Sequence, residues 1–231
     1  MKNIGTVAFV PARRGSKRLP NKNFMLVENI PIIRRTVDTL VASDVFKEII
    51  VSTDDPNEAE DLFVSYPSVT VIQRNEILSS DDSTVNQVLL EYFERTEREL
   101  YICCVYPTSA LLRESTIRSS YETFLRDVPT SLMGVSKFVF KVGKAMRMDD
   151  KGLLEPCNPT LVNRKTQDLD DYFVSNGTFY WTTRTSLINY KSIISNPVKG
   201  FLVEDDEVCD LDEPSDLKEF SMKFKFRSTS P

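Results

Sequence analysis

Histidine is absent from all 231 residues of this chain. With it go the usual near-neutral general base, every triad that passes a proton through imidazole, and imidazole as a metal ligand. Cysteine is scarce as well. Cys103, Cys104, Cys157 and Cys209 show no C-x-x-C spacing, and the first two are neighbours inside an apolar run, as buried free thiols often are. Neither a disulfide framework nor a zinc site is expected from them. The seven glycines form no G-x-G-x-x-G, and a Walker loop fails because Val10 stands where its first glycine would be, five residues before Gly15. No apolar run approaches the roughly 20 residues of a membrane span. The apolar start is short and soon followed by Arg13 and Arg14, unlike a secretory signal, so a cytoplasmic protein is expected. An excess of positive charge is missing too: the formal net charge is −5, which speaks against a broad nucleic-acid or anionic-membrane surface. Chemistry must therefore rest on carboxylates, lysines, hydroxyls or a metal.

What is present is a regular alternation. The apolar runs "IGTVAFV", "EIIVST", "VTVIQR" and "LYICCVYPT" are separated by helical patterns at "PIIRRTVDTLVAS", from about Asn57, and after Ser83. This order predicts an α/β fold with a mostly parallel sheet and helices on both faces. A helix near Glu114 to Arg126 and a strand at "TSLMGVSK" extend it. Between about Phe138 and Tyr180 helical period is lost and turn signals accumulate at Gly143, Lys151-Gly152 and Asn158-Pro159, so residues 138–180 read as an arm inserted into a single domain over 1–231. The chain returns through "NGTFYWTT", "FLV" and a helix at "EPSDLKEFSMKF", with Pro214 near its start.

Two charged segments stand out. "PARRGSKRLPNKN", from Pro11 to Asn23, holds five basic residues and no acidic one. It follows the first strand, at the carboxyl edge where open α/β sheets place their ligands. Gly15 and Ser16 allow close backbone approach, while Arg13, Lys17 and Lys22 offer the charges a polyphosphate needs. An arbitrary charge run is usually a solvated face. Five cations fixed at a strand end repel one another unless an anion sits among them, so the segment reads as a pocket.

Its counterpart is "EDDEVCDLDE", Glu204 to Glu213, with seven carboxylates in ten residues. Asp210 and Asp212, two residues apart, share a face of an extended segment, and a bend can bring both onto one ion, for which Mg2+ is the natural candidate. The competing reading makes Asp212 and Glu213 caps of the helix after Pro214. Glu204 to Glu207 read as a solvated face.

The basic segment resembles the P-A-R-x-G-S-K-x-x-x-x-K-N signature of the CMP-sialic acid synthetase family, the cytidylyltransferases that activate sialic-acid-type sugars. The resemblance continues in "VSTDD", "RNEILSSDD", "CCVYPTSALLR", "QDLDDYFVSNGTFYW" and "CDLDEPSDL", over nearly the full chain. "CCVYPT" and "NGTFYW" are most similar to the branch acting on pseudaminic acid. The resemblance implies a Rossmann-like nucleotidyltransferase fold, synthesis of a CMP-sugar and pyrophosphate from CTP and a nine-carbon 2-keto acid, a need for Mg2+, and a homodimer formed through the arm. It places Ala12, Arg13, Gly15, Ser16, Lys22, Asn23, Arg74 and Ser83 on the nucleotide, the last two near the base. Arg13, Lys17, Lys22 and Asp212 become the catalytic set, and Asp210 with Asp212 the metal ligands.

Tyr106, Thr108, Arg164, Lys165, Gln167, Asn176, Phe179 and Tyr180 are expected on the sugar side. A strand alternates its faces, so Phe179 and Trp181 share one and Tyr180 takes the other, and the three cannot all line one pocket. Asp82 or Ser83 is also expected to cap the following helix. Two departures leave pseudaminic, legionaminic and N-acetylneuraminic acids all open as acceptors. Sialic-acid members carry a Gln near Tyr106, and the pseudaminic branch carries one where Thr178 stands. A transferase acting on a sugar 1-phosphate would share both charged segments. A non-catalytic nucleotide-binding module would not need the intact D-x-D and Lys22.

Overall fold

The computed structural model describes residues 4–16, 18–80 and 82–229. The run "IGTVAFV" becomes β1 (Gly5–Pro11), buried along its whole length. Val7 and Phe9 enter one core while Ala8 and Val10 enter the other. Burial on both faces is why its sequence is continuously apolar instead of alternating. A loop and a short 3-10 turn at Lys22–Phe24 lead through the hairpin of β2 (Leu26–Val27) and β3 (Ile30–Pro31) into α1 (Ile32–Ala42). Then come β4 (Glu48–Thr53), α2 (Pro56–Phe63), β5 (Val69–Gln73), α3 (Val85–Phe93), β6 (Leu100–Val105), α4 (Glu114–Asp127) and β7 (Ser131–Lys137). The hairpin of β8 (Met146–Met148) and β9 (Leu154–Pro156) stands outside the main sheet. The chain closes with β10 (Phe173–Thr183), α5 (Arg184–Tyr190), β11 (Val198–Leu202) and α6 (Asp216–Thr229).

Among the described residues the main sheet has seven strands in the order β11-β7-β10-β6-β1-β4-β5. β1 runs parallel to β4 and β6, β4 to β5, and β7 to β11, whereas β10 lies antiparallel between β6 and β7. The mostly parallel sheet read from the sequence is present. Helices cover both faces: Ile33 and Val37 of α1, Phe63 of α2 and Phe124 of α4 pack on one side, and Leu89 of α3 and Leu187 of α5 on the other. A third apolar cluster, including Val27, Ile32, Leu111, Leu211 and Phe220, seats α6 against the loops at the sheet edge. No helix among the described residues is long and apolar enough to cross a membrane.

Within the stretch 138–180, residues from Phe173 onward belong to β10 and pair with β7, so the part standing outside the main sheet is 138–172. The Asn176-Gly177 dipeptide is a register shift between Ser175 and Tyr180, with Gly177 at φ 67°, and not a break in the strand. Alternation along β10 holds: Phe179 and Trp181 enter one core and Tyr180 the other. Trp181 is fully buried, stacks on Phe46 with ring centroids 5.6 Å apart, and donates from Nε1 to Ser120 Oγ at 2.9 Å.

The start of α3 corrects one expectation. Its cap is Thr84, not Asp82 or Ser83: Thr84 Oγ1 accepts from Gln87 N–H at 3.3 Å, and Gln87 Oε1 accepts from Thr84 N–H at 2.8 Å. This reciprocal pair satisfies two amides together, and Ser83 Oγ is committed to Ile77 O at 3.0 Å.

Candidate active site

The carboxyl ends of β1 and β6 and the start of α3 enclose a cleft of about 480 Å³, lined among others by Arg13, Gly15, Ser16, Lys22, Asn23, Arg74, Ser83, Tyr106, Thr108 and Asp212. It lies where the strand order reverses between β1 and its neighbours β4 and β6, the usual ligand position of an open α/β sheet. Ten residues read as site candidates from four separated stretches of sequence thus meet in one cavity.

The decisive contact joins the two charged segments. Lys22 Nζ donates to Asp212 Oδ1 and to Leu211 O, both at 3.0 Å, across 190 residues of chain for the Lys22–Asp212 pair. Arg18 Nη2 reaches Asp212 Oδ2 at 2.6 Å. The Asp212 carboxylate therefore sits between two cations that line the same cleft. In sequence Arg18 is only one of five basic residues; its place beside Lys22 depends on how the loop folds back. Lys17 lies outside the described residues.

The loop is shaped from within. Asn23, nearly buried, donates from Nδ2 to Arg13 O at 2.7 Å and so ties the end of the basic segment to its beginning. Arg13 Nη1 donates to Ser80 O at 3.1 Å and links the loop to the segment before α3. Arg14 turns away: its backbone N–H donates to Asp54 Oδ1 at 2.7 Å, and its guanidinium pairs with Asp55 and Glu58.

Arg74 is 6% exposed, held by Ser52 through Nε to Oγ at 3.3 Å and Nη2 to O at 2.8 Å. Burial lowers its pKa first and the Arg13 charge adds to this, against the opposing pull of Asp54. A buried guanidinium whose charge is under such strain is a prepared partner for a polar or anionic ligand group. Tyr106 and Thr108 bound the other side of the cleft. Burial above all raises the Tyr106 phenol, so it stays protonated and can donate.

Several expected site residues sit elsewhere. Ala12 is fully buried, its N–H donating to Ser52 O at 2.8 Å, so it extends the sheet and does not line the cleft. Phe179 is fully buried against Phe201 in the core, because its face of β10 points under α1 and α4, and it forms no pocket wall. Tyr180 is buried on the other face beside the Tyr106 ring at 5.7 Å, with its hydroxyl on Ser175 Oγ at 2.7 Å. It supports the wall without lining it. Asn176 Oδ1 contacts Thr178 Oγ1 at 2.7 Å and accepts from Thr178 N–H at 3.3 Å, bracing the irregular turn of β10. Arg164, Lys165 and Gln167 are exposed on the 138–172 segment and do not reach the cleft within one chain.

The acidic run also divides. Asp210 stands beside Asp212 but outside the cleft lining; desolvation first, and the Asp212 charge second, push its pKa up. Glu207 corrects the reading of Glu204 to Glu207 as a solvated face. It is 2% exposed and accepts from Arg113 N–H at 2.6 Å, Arg113 Nη1 at 2.8 Å and Thr116 Oγ1 at 2.8 Å, while Asp206 pairs with the same guanidinium. This buried cluster had no signal in the run itself, because its partner lies more than ninety residues earlier. No group of three or more His, Cys, Asp or Glu is assembled for a metal among the described residues. The carboxylates of Asp210 and Asp212 are oxygen donors of the kind a hard cation would take.

Comparison with known proteins identifies the family. The family model described as cytidylyltransferase matches residues 7–220. The pseudaminic acid cytidylyltransferase of Campylobacter jejuni subsp. jejuni serotype O:2 is 25% identical over 234 residues, covering 100% of this chain and 99% of that protein. The CMP-N,N'-diacetyllegionaminic acid synthase of Legionella pneumophila subsp. pneumophila is 32% identical over 221 residues, covering 91% of this chain and 92% of that one. Among solved structures, a CMP:2-keto-3-deoxy-manno-octonic acid synthetase complexed with CTP superposes with a TM-score of 0.72 at 16% identity, over 96% of this chain and 99% of that one, a likeness of fold. With a mostly parallel sheet, a basic loop at its carboxyl edge and a match over almost the whole sequence, the chain belongs to the cytidylyltransferase family and is a CTP-using nucleotidyltransferase.

Proposed function

We propose that this enzyme makes a CMP-sugar and pyrophosphate from CTP and a nine-carbon 2-keto acid, with pseudaminic acid as the favoured acceptor. The observation that carries the reading is the meeting of Lys22 and Asp212 at 3.0 Å inside the cleft that also holds Arg13 and Arg74. Attack by the anomeric C2 hydroxyl on the α-phosphorus, with pyrophosphate leaving, needs positioning and neutralisation of charge more than a strong base. That requirement suits a chain without histidine.

In this reading Arg13 and Lys22, with Lys17, hold the triphosphate through charge-assisted hydrogen bonds. Arg74, anchored by Ser52, faces the cytosine edge, where Ser83 lines the cleft and the first amides of α3 supply further donors. Tyr106 and Thr108 border the acceptor. Asp210 and Asp212 are the residues that would hold Mg2+, which when bound would neutralise phosphate charge. The triphosphate then takes over Lys22 and Arg18 as counter-ions, releasing Asp212 from the pairs it makes with them.

The full-length match to a pseudaminic acid cytidylyltransferase supports the favoured acceptor. A legionaminic acid acceptor is the second reading, favoured by the higher identity to the Legionella protein. The 138–172 segment exposes Val139 (88%), Phe140 (84%), Met148, Leu153 and Leu154. So much apolar surface on an extended segment calls for cover, and we take a second copy of the chain to supply it, forming a homodimer. A cytoplasmic location fits the use of CTP.

The test is pyrophosphate release with CTP, Mg2+ and a panel of acceptors: pseudaminic, legionaminic and N-acetylneuraminic acids, an eight-carbon keto acid and a sugar 1-phosphate. Turnover is expected with a nine-carbon keto acid and most of all with pseudaminic acid. Release only with the sugar 1-phosphate, or with no acceptor at all, refutes the proposal. Sedimentation of the wild type and of Phe140→Asp tests the dimer, which the charged variant is expected to dissociate.

A further inference from the structure

Asp212 lies on a loop, and a loop side chain is placed only as well as the contacts that brace it. The segment from Glu207 to Asp216 is held at both ends by carboxylates that do not line the cleft. At one end Glu207 accepts the three hydrogen bonds from Arg113 and Thr116 at the start of α4. At the other, Asp216 Oδ2 accepts from the backbone N–H of Asp212 at 2.8 Å and of Glu213 at 2.7 Å. Between them Val208 O accepts from Lys223 Nζ at 2.7 Å, and Leu211 is fully buried beside Ile32, Leu111 and Phe220.

The direction of the Asp216 bonds is informative. A helix cap accepts from amides that follow it in the helix. Asp216, at the first residue of α6, bonds instead to amides that precede it, closing a tight loop on Asp212. The Asp212 backbone is then set by its own amide on one side and by the burial of Leu211 on the other, and from that position its carboxylate reaches Lys22 and Arg18.

We infer that Asp216 is a positioning residue for nucleotidyl transfer, fixing the Asp212 carboxylate in the cleft by bonding the amides of Asp212 and Glu213, with Glu207 anchoring the opposite end of the same loop. This rests on the site reading above. It assigns a third role to acidic side chains in this region, neither metal ligation nor solvation.

The test compares Asp216→Ala and Asp216→Asn with Asp212→Ala. For Asp216→Ala, kcat is expected to fall about 10–100-fold and the Mg2+ concentration for half-maximal rate to rise, as for other groups that orient a ligand from behind. The KM for CTP, and CTP affinity measured by calorimetry without metal, are expected to stay within about threefold, because the loss is in the transition state and not in nucleotide binding. Amide hydrogen exchange at Asp212 and Glu213 is expected to quicken. Asp216→Asn keeps a carbonyl acceptor and is expected to recover most of the rate. If Asp216→Ala does not fold, Asp216→Glu, which keeps the charge but displaces the oxygen, carries the same expectations.

Unchanged turnover and Mg2+ dependence in the folded Ala or Glu variant overturns the inference, as does a rate loss that Asn does not recover. A fully active Asp212→Ala overturns the site reading itself. An inactive Asp212→Ala beside a fully active Asp216→Ala overturns only the positioning role.

Discussion

The basic loop after β1 and the acidic run before α6 look alike as charge clusters, one with five cations and the other with seven carboxylates. In the folded chain each divides into a part that faces the cleft and a part that holds structure. From the basic loop, Lys22 and Arg18 meet Asp212, whereas Arg14 turns outward to Asp54, Asp55 and Glu58. From the acidic run, Asp212 enters the cleft, whereas Asp206 and Glu207 clamp Arg113 and thereby the start of α4. The lesson is that charge density marks a segment as unusual, but the role of each side chain follows from its partner in space. Two of the partners lie more than ninety residues away in sequence.

The division can be broken most severely on the cleft side. Lys22→Ala and Asp212→Ala are each expected to lower kcat by about 10²–10⁴-fold in a pyrophosphate-release assay, the range for removing a group that stabilises transition-state charge. Chelation of divalent metal by EDTA is expected to abolish turnover and Mg2+ to restore it. Near-normal rates in either alanine variant would remove the cleft half of the comparison. Arg13→Ala comes next, with the KM for CTP raised about tenfold or more through loss of a charge-assisted contact.

On the structural side the effects move from rate to stability. Glu207→Ala strips three hydrogen bonds from a buried carboxylate and leaves Arg113 poorly paired, for an expected loss of about 2–4 kcal/mol in urea unfolding. Asp206→Ala, on the partly exposed side of the same guanidinium, is expected to cost under about 1 kcal/mol, so a larger loss than Glu207→Ala would reverse the assignment. Smallest of all, Arg14→Ala is expected to keep kcat and KM within about twofold, since its pairs lie outside the cleft. A tenfold rate loss there would show that the basic loop acts as one unit.

Much of this was legible because some physical constraints are local. Strands buried on both faces must be apolar throughout, so β1, β4 and β6 were visible as runs, and the loop after β1 fell at the carboxyl edge as the topology requires. The alternation of Phe179, Tyr180 and Trp181 was likewise legible, since a strand has period two. That alternation did not show that both faces are covered, which is why Phe179 belongs to the core and not to a pocket wall. The returning strand, legible from "NGTFYWTT" onward, in fact begins three residues earlier at Phe173 and carries a bulge at Asn176-Gly177 that pairing with β7 accommodates. The cap of α3 fell one residue beyond the expected pair, at the residue whose spacing to Gln87 allows a reciprocal bond.

The sequence by itself determined the fold class, the edge of the sheet that carries the site, and the exclusion of histidine chemistry. These follow from composition and from periodicities that act over a few residues. Only the tertiary structure decided that Arg14 leaves the cleft while Arg18 enters it, that Glu207 is buried, and that Asp216 reaches back to Asp212. An ion pair or a hydrogen bond between distant segments depends on distances that the packed sheet and helices set, and no local pattern records them.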